Sequence, residues 1–152
     1  MDDDSARALW SAFAAVRPDV PPTYRIVEFG DTPELQTALA DLVVTGPKRA
    51  TTSLLRWYDS GEAVMPVAGD YGVVVDGADR ARCIIRTTRV DIRPYESVDE
   101  AYAFDEGERD RTLASWRAIH RAFFARECAQ DGLEFSEEMD VVCERFELVW
   151  PA

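Results

Sequence analysis

Lys48 is the only lysine in the chain; the other sixteen basic residues, of a Lys+Arg total of 17, are all arginine. Arginine stays charged at any working pH, whereas a lysine enclosed in a cleft can shift its pKa and give or take a proton. A lysine kept against so strong an arginine bias marks a candidate base or proton shuttle; a solvent-facing charge is the plain alternative. His120 is the only histidine, four residues after Trp116 and four before Phe124, on one face of a predicted helix. That place suits ligand contact or proton transfer beside a stacked base, although a half-buried helix histidine with one hydrogen bond is the simpler reading. Arg49, Arg56, Arg117 and Arg121 can form a local basic lining. With Trp57, Tyr58 and Tyr102 they can stack on and clamp a nucleotide or single-stranded RNA. Ordinary surface pairing with the acidic excess accounts for the same arginines.

Other chemistries find less support. With one histidine there is no His-rich metal centre, and Cys83, Cys128 and Cys143 form no C-x-x-C pair. The carboxylates between Asp105 and Asp110 can hold Mg²⁺ or serve as a solvated loop paired with Arg109 and Arg111; neither a metal nor a cofactor is expected. The chain lacks a P-loop, a dinucleotide fingerprint and a Gly-x-Ser-x-Gly elbow.

These residues need elements to hold them. Asp4-Ser5 caps a predicted helix carrying Leu9, Trp10, Phe13 and Val16, stopped by Pro18. Tyr24–Phe29 alternates as a strand. Thr32-Pro33-Glu34 opens a second helix through Leu35, Ala38, Leu39 and Leu42, which Gly46-Pro47 closes. Lys48–Ser53 reads only as a polar, β-branched stretch, followed by a turn or two of helix around Trp57. Tyr71–Val75 and Ala81–Ile92 read as strands joined at Asp76-Gly77. Ser97 caps a short helix to about Phe104, and Thr112 caps a long one to about Gln130. Val141–Trp150 is a closing strand. Hairpins with helices between them predict an α+β fold with a small mixed or antiparallel barrel.

Composition narrows the partners. The 152 residues suit one domain, and 29 Asp+Glu against 17 Lys+Arg leave a formal net charge of -12. Such an envelope opposes the many phosphate contacts of long RNA and favours a small ligand. The acidic start, Met1-Asp2-Asp3-Asp4, leads into no apolar signal region and no membrane-length apolar run follows, so a cytoplasmic protein is expected. Oligomeric state is left open.

Several segments occur in an order that resembles the ASCH-domain family, in its bacterial stand-alone form. They are Gly46-Pro47-Lys48-Arg49-Ala50-Thr51-Thr52-Ser53-Leu54-Leu55; Val67-Ala68-Gly69-Asp70-Tyr71; Tyr102 to Asp110 with Trp116-Arg117-Ala118-Ile119-His120; and Val142-Cys143-Glu144-Arg145-Phe146. The resemblance implies a PUA-like fold over residues 24–150, with residues 1–23 as an added helix and linker packed on it. It implies a nucleobase- or nucleoside-like ligand or single-stranded RNA as partner. Some small members of that family hydrolyse amides of modified nucleobases, and some are associated with ribonuclease activity. The implied catalytic set is a Lys-x-x-Thr pair, matched by Lys48 and Thr51, and a later glutamate, for which Glu106 is the first choice and Glu108 the second. Amide hydrolysis on N-acylated cytosine- or cytidine-like substrates is thus one expectation; ribonuclease action and a non-catalytic RNA- or nucleotide-binding module are the alternatives. The ligand contacts expected around that set are Arg49, Arg56, Trp57, Tyr102, Trp116, Arg117 and His120. The Lys48–Thr51 offset is odd, so in a straight strand the two would face opposite ways unless the chain turns at Pro47-Lys48.

Overall fold

The computed structural model describes residues 3–151, so the first two residues of the acidic start lie outside the described part. Helix α1 (Asp3–Val16) buries Ala6, Trp10 and Phe13, spaced for one face, while Val16 at its end stays exposed. Strand β1 (Arg25–Val27) leads to α2 (Pro33–Thr45), whose Thr32 cap accepts from the Leu35 N–H at 3.2 Å. Leu39, Ala40 and Val43 form its buried face, and Leu35 remains partly exposed. Then come β2 (Ala50–Leu54), α3 (Leu55–Asp59), β3 (Tyr71–Val75), β4 (Ala81–Pro94), a 3-10 turn at Tyr95–Ser97, α4 (Glu100–Glu106), α5 (Leu113–Gln130) and β5 (Asp140–Trp150).

The strand order β1-β3-β4-β5-β2 makes one curled half-barrel, with β1 parallel to β3 and all other pairs antiparallel. The fold is α+β and PUA-like, as expected. Register shifts at Ile84/Ile85 and Thr87/Arg89 bend the long β4–β5 ribbon, which is what a bulge does to an antiparallel pair. β2 was not legible as a strand: only its end residues Ala50 and Leu54 are buried, so no alternation of polar and apolar residues announces it. Its pairing with β5, Thr51 opposite Glu144 and Thr52 opposite Cys143, makes it one. The cap of α4 is Asp99, which accepts from the Tyr102 N–H, whereas Ser97 closes the preceding turn by donating to the Pro94 carbonyl.

Three apolar clusters fasten the helices to the sheet. α1 covers Val73, Val75 and Ile84; α2 covers Val74, Cys83, Ile85 and Phe146; α4 and α5 cover Leu54, Val141 and Cys143 with Tyr102, Trp116 and Phe124. Each fully buried Phe or Val contributes roughly 1.5–3 kcal/mol relative to exposure. The three cysteines are buried free thiols. Among the described residues, no helix is long and apolar enough to cross a membrane.

Candidate functional site

Lys48 reaches the interior because α2 ends abruptly. Gly46, at φ +118°, bonds back to the Leu42 carbonyl, and the Lys48 N–H bonds to the same oxygen. The chain thereby reverses before β2 begins. The Arg49 guanidinium then donates to the Val43 and Lys48 carbonyls, fixing the turn from behind. The opposing wall is the α4–α5 connection. Gly107 at φ +74° lies so close to the turn that a Cβ there would sit 2.4 Å from the Pro47 oxygen. Arg111 donates to the Phe104 and Pro47 carbonyls and lays its guanidinium 3.5 Å over the Phe104 ring.

Between these walls Lys48 is sealed, at 1% exposure. Its ammonium has four acceptors in reach for three protons: the Ala50 carbonyl at 2.8 Å, Glu106 Oε1 at 3.0 Å, Glu108 Oε2 at 3.0 Å and the Glu106 carbonyl at 3.3 Å. Glu106 is equally buried and fully committed. Its Oε2 accepts from Thr52 Oγ1 at 2.6 Å, Trp116 Nε1 at 2.8 Å and His120 Nε2 at 3.1 Å. His120 Nδ1 lies 2.9 Å from the Trp116 carbonyl. Both ring nitrogens thus face groups that only accept, and an imidazolium satisfies both.

The electrostatics follow. Burial alone would push Lys48 down, but the charges of Glu106 and Glu108 and their hydrogen bonds outweigh it, so its pKa is raised above 10.5. Burial likewise opposes the charged forms of Glu106 and His120. The Lys48 and His120 charges hold Glu106 well below the ordinary carboxylate range, and Glu106 raises His120 above 6.5. Lys48 therefore departs from the expectation of a lysine with a lowered pKa: two carboxylates face it and favour its charged form. Glu108 is the least committed member. Only its Oε2 is hydrogen-bonded, and its side chain is 16% exposed.

The cluster forms one side of a pocket of about 520 Å³, within the roughly 300–1,000 Å³ usual for small-molecule sites. The pocket lies between the two edge strands of the half-barrel, with Phe29, Leu39, Trp57, Tyr58 and Phe123 among its lining. Lys48, Thr51, Glu106, Glu108, Trp57 and His120 all line it. The Thr51 hydroxyl makes no hydrogen bond among the described residues; its neighbour Thr52, which sequence reasoning did not single out, holds Glu106.

The expected arginine lining is dispersed. Arg49 braces the α2 turn, Arg56 pairs with Asp131, Arg121 pairs with Glu137, and Arg117 is exposed outside the pocket. Each has a nearer acceptor or open solvent. Tyr102 and Trp116 sit behind the site, Tyr102 donating to the Thr51 carbonyl and Trp116 stacking on His120 at 4.4 Å. Glu106, Glu108 and His120 bring ligand atoms within 4.8 Å of one another, a set able to hold a metal ion. Lys48 Nζ already stands between the two carboxylates, so a bound cation would have to displace the ammonium.

A second polar group lines the same pocket. Glu144 of β5 accepts at Oε2 from Arg25 Nη2 at 2.9 Å and Thr87 Oγ1 at 2.7 Å. Neither Arg25 nor Glu144 was among the residues singled out, although the Cys-Glu-Arg-Phe segment containing Glu144 was. A glutamate at the i±2 spacing shared with Val142, Phe146 and Leu148, the apolar face of the strand, was the available signal.

A family model described as the ASCH domain matches residues 25–150. The chain is similar to the crystal structure of an ASCH domain from Lactobacillus crispatus JV V101, with 33% identity and a TM-score of 0.89 over 95% of this chain and 94% of that one. It is also similar to a protein from Enterococcus faecalis V583, with 36% identity and a TM-score of 0.88 over 96% and 88%. No curated protein matches it.

Proposed function

The chain belongs to the ASCH-domain family, and from that premise we propose that its pocket binds a nucleobase- or nucleoside-sized ligand and hydrolyses an amide bond on it. The observation that carries this reading is the asymmetry of the buried cluster. Three of its members are locked, and one, Glu108, keeps an oxygen free beside a pocket of ligand size. Glu108 is the general base. It takes the proton of the Thr51 hydroxyl as that oxygen bonds to the acyl carbon. The C–N bond then breaks, and the proton passes to the departing amine. Water, deprotonated by the same carboxylate, releases the acid and restores the hydroxyl. Lys48 is a positioning residue in this scheme, because its buried charge fixes Glu108 rather than meeting the ligand. Glu106, saturated by four donor groups, anchors Lys48 and His120.

The test is hydrolysis of a panel of N-acylated cytosines and cytidines, beside a short single-stranded RNA. Wild type should release the acid, and Glu108→Gln should lose about 10²-fold or more in turnover while keeping ligand affinity. A second reading is a non-catalytic binding site, favoured by the completeness of the hydrogen bonding around Glu106. Wild-type inactivity across the panel with nucleoside binding intact would establish that reading instead. Cleavage of the RNA alone would make the protein a ribonuclease.

A further inference from the structure

We propose that Glu144 is the pocket's recognition carboxylate, taking a hydrogen bond from an amine or hydroxyl donor of the bound ligand; this deepens the nucleoside reading and rests on it. The Glu144 side chain is 9% exposed, yet only its Oε2 is engaged, by Arg25 and Thr87. Oε1 accepts no hydrogen bond among the described residues, it is not among the sealed atoms, and the residue lines the pocket. A carboxylate can only accept. A half-satisfied buried carboxylate therefore favours a ligand that presents N–H or O–H to it and disfavours one that presents a carbonyl.

The surroundings hold the group in place for that task. Arg25 Nη2 donates to both Thr87 and Glu144, so the charge is balanced from the β1 edge while Oε1 is left uncovered. Arg25 spends its Nε–H to do this, since that atom is sealed with no acceptor among the described residues. Register ties the group to the rest of the site. Glu144 lies directly opposite Thr51 on β2, whose next residue, Thr52, holds Glu106. A ligand in the pocket thus has the Glu108 carboxylate at one polar group and a fixed acceptor at the other, and Thr51 and Thr52 line the same pocket.

The experiment measures dissociation constants of cytidine, uridine and 1-methylcytosine by calorimetry for wild type, Glu144→Gln and Glu144→Asp. The uridine arm replaces the base amine by a carbonyl, and the 1-methylcytosine arm removes every sugar hydroxyl. Wild type should lose 10-fold or more in one arm, which identifies the donor. In Glu144→Gln that same loss should shrink below 3-fold, because the ligand preference and the carboxylate are coupled. Glu144→Asp keeps the charge opposite Arg25 but shortens the reach, so it should weaken the preference even if the glutamine variant fails to fold. Two results overturn the proposal while leaving the nucleoside reading intact: wild type binding all three alike, or a variant weakening all three by one factor. Absence of binding to any of the three by wild type overturns the nucleoside reading and this inference together.

Discussion

Lys48 and Glu108 meet at 3.0 Å although 60 positions separate them in the chain. Two chain reversals make the contact: the stop of α2, which turns Lys48 inward, and the end of α4 with the connection to α5, which bring Glu106 and Glu108 over it. The two members divide in how far they are committed. Lys48 is 1% exposed and bonded to both glutamates, whereas Glu108 is 16% exposed and has one oxygen without a hydrogen bond at the pocket.

That division predicts different costs for removing the two carboxylates. Glu106→Gln leaves Lys48 and His120 without their common counter-charge inside the protein, and should lower stability by about 3–5 kcal/mol. Glu108→Gln should cost distinctly less, because Glu106 still pairs with Lys48 and Glu108 is partly solvated. Urea unfolding of the two variants checks this; equal losses would mean that Glu106 is not the anchor.

The close approach of Gly107 to the Pro47-Lys48 turn predicts a strong local effect. Gly107→Ala should destabilise the protein by about 2–4 kcal/mol, from the left-handed backbone and a contact with main chain that cannot give way. Gly61→Ala and Gly132→Ala, also at positive φ but with nothing within 4 Å, should cost only about 1 kcal/mol. Thermal melts of the three variants separate backbone strain from the clash.

His120 predicts the direction of pH dependence near neutrality. Its folded-state pKa lies above the ordinary 6.5, so the folded protein holds that proton more tightly than the unfolded chain does. The stabilisation is complete below pH 6.5 and is lost as pH rises through the raised value. Glu106 acts in the opposite sense, its contribution being present above pH 4.5 and lost only well below it. The melting temperature should therefore fall on the alkaline side in wild type, and His120→Gln should reduce that slope, leaving the part due to Glu127, whose carboxyl is pushed up to about 7 by burial. As the only histidine, His120 has a single imidazole resonance, and its NMR titration should give a pKa above 6.5.

The net charge of -12 predicts weak binding to long single-stranded RNA, falling further with salt. A gel-shift series should show no nanomolar complex at ~0.15 M salt, where the Debye length is ~8 Å. Tight binding that persists at that ionic strength would contradict the small-ligand reading.

Much of this protein is decided locally and is legible in its residues. Thr32-Pro33 and Thr112 cap the helices they were expected to cap, because a threonine at the N-cap accepts from an orphan N–H three residues on. Gly46 ends α2, since only glycine adopts its left-handed turn without strain. The family motifs brought Lys48, Thr51, Glu106, Glu108 and His120 to attention, and all of them line one pocket. Tertiary structure alone decided the rest. β2 carries no alternation and exists because β5 pairs with it. Lys48 is favoured in its charged form because two glutamates some 60 positions away outweigh its burial. The arginines scatter because each finds an acceptor or solvent outside the pocket. Glu144 becomes a half-satisfied acceptor only where β1, β4 and β5 come together, since Arg25 and Thr87 reach it across the sheet. Caps and turns depend on neighbours within a few residues, whereas charge state and ligand contact depend on what the fold places opposite.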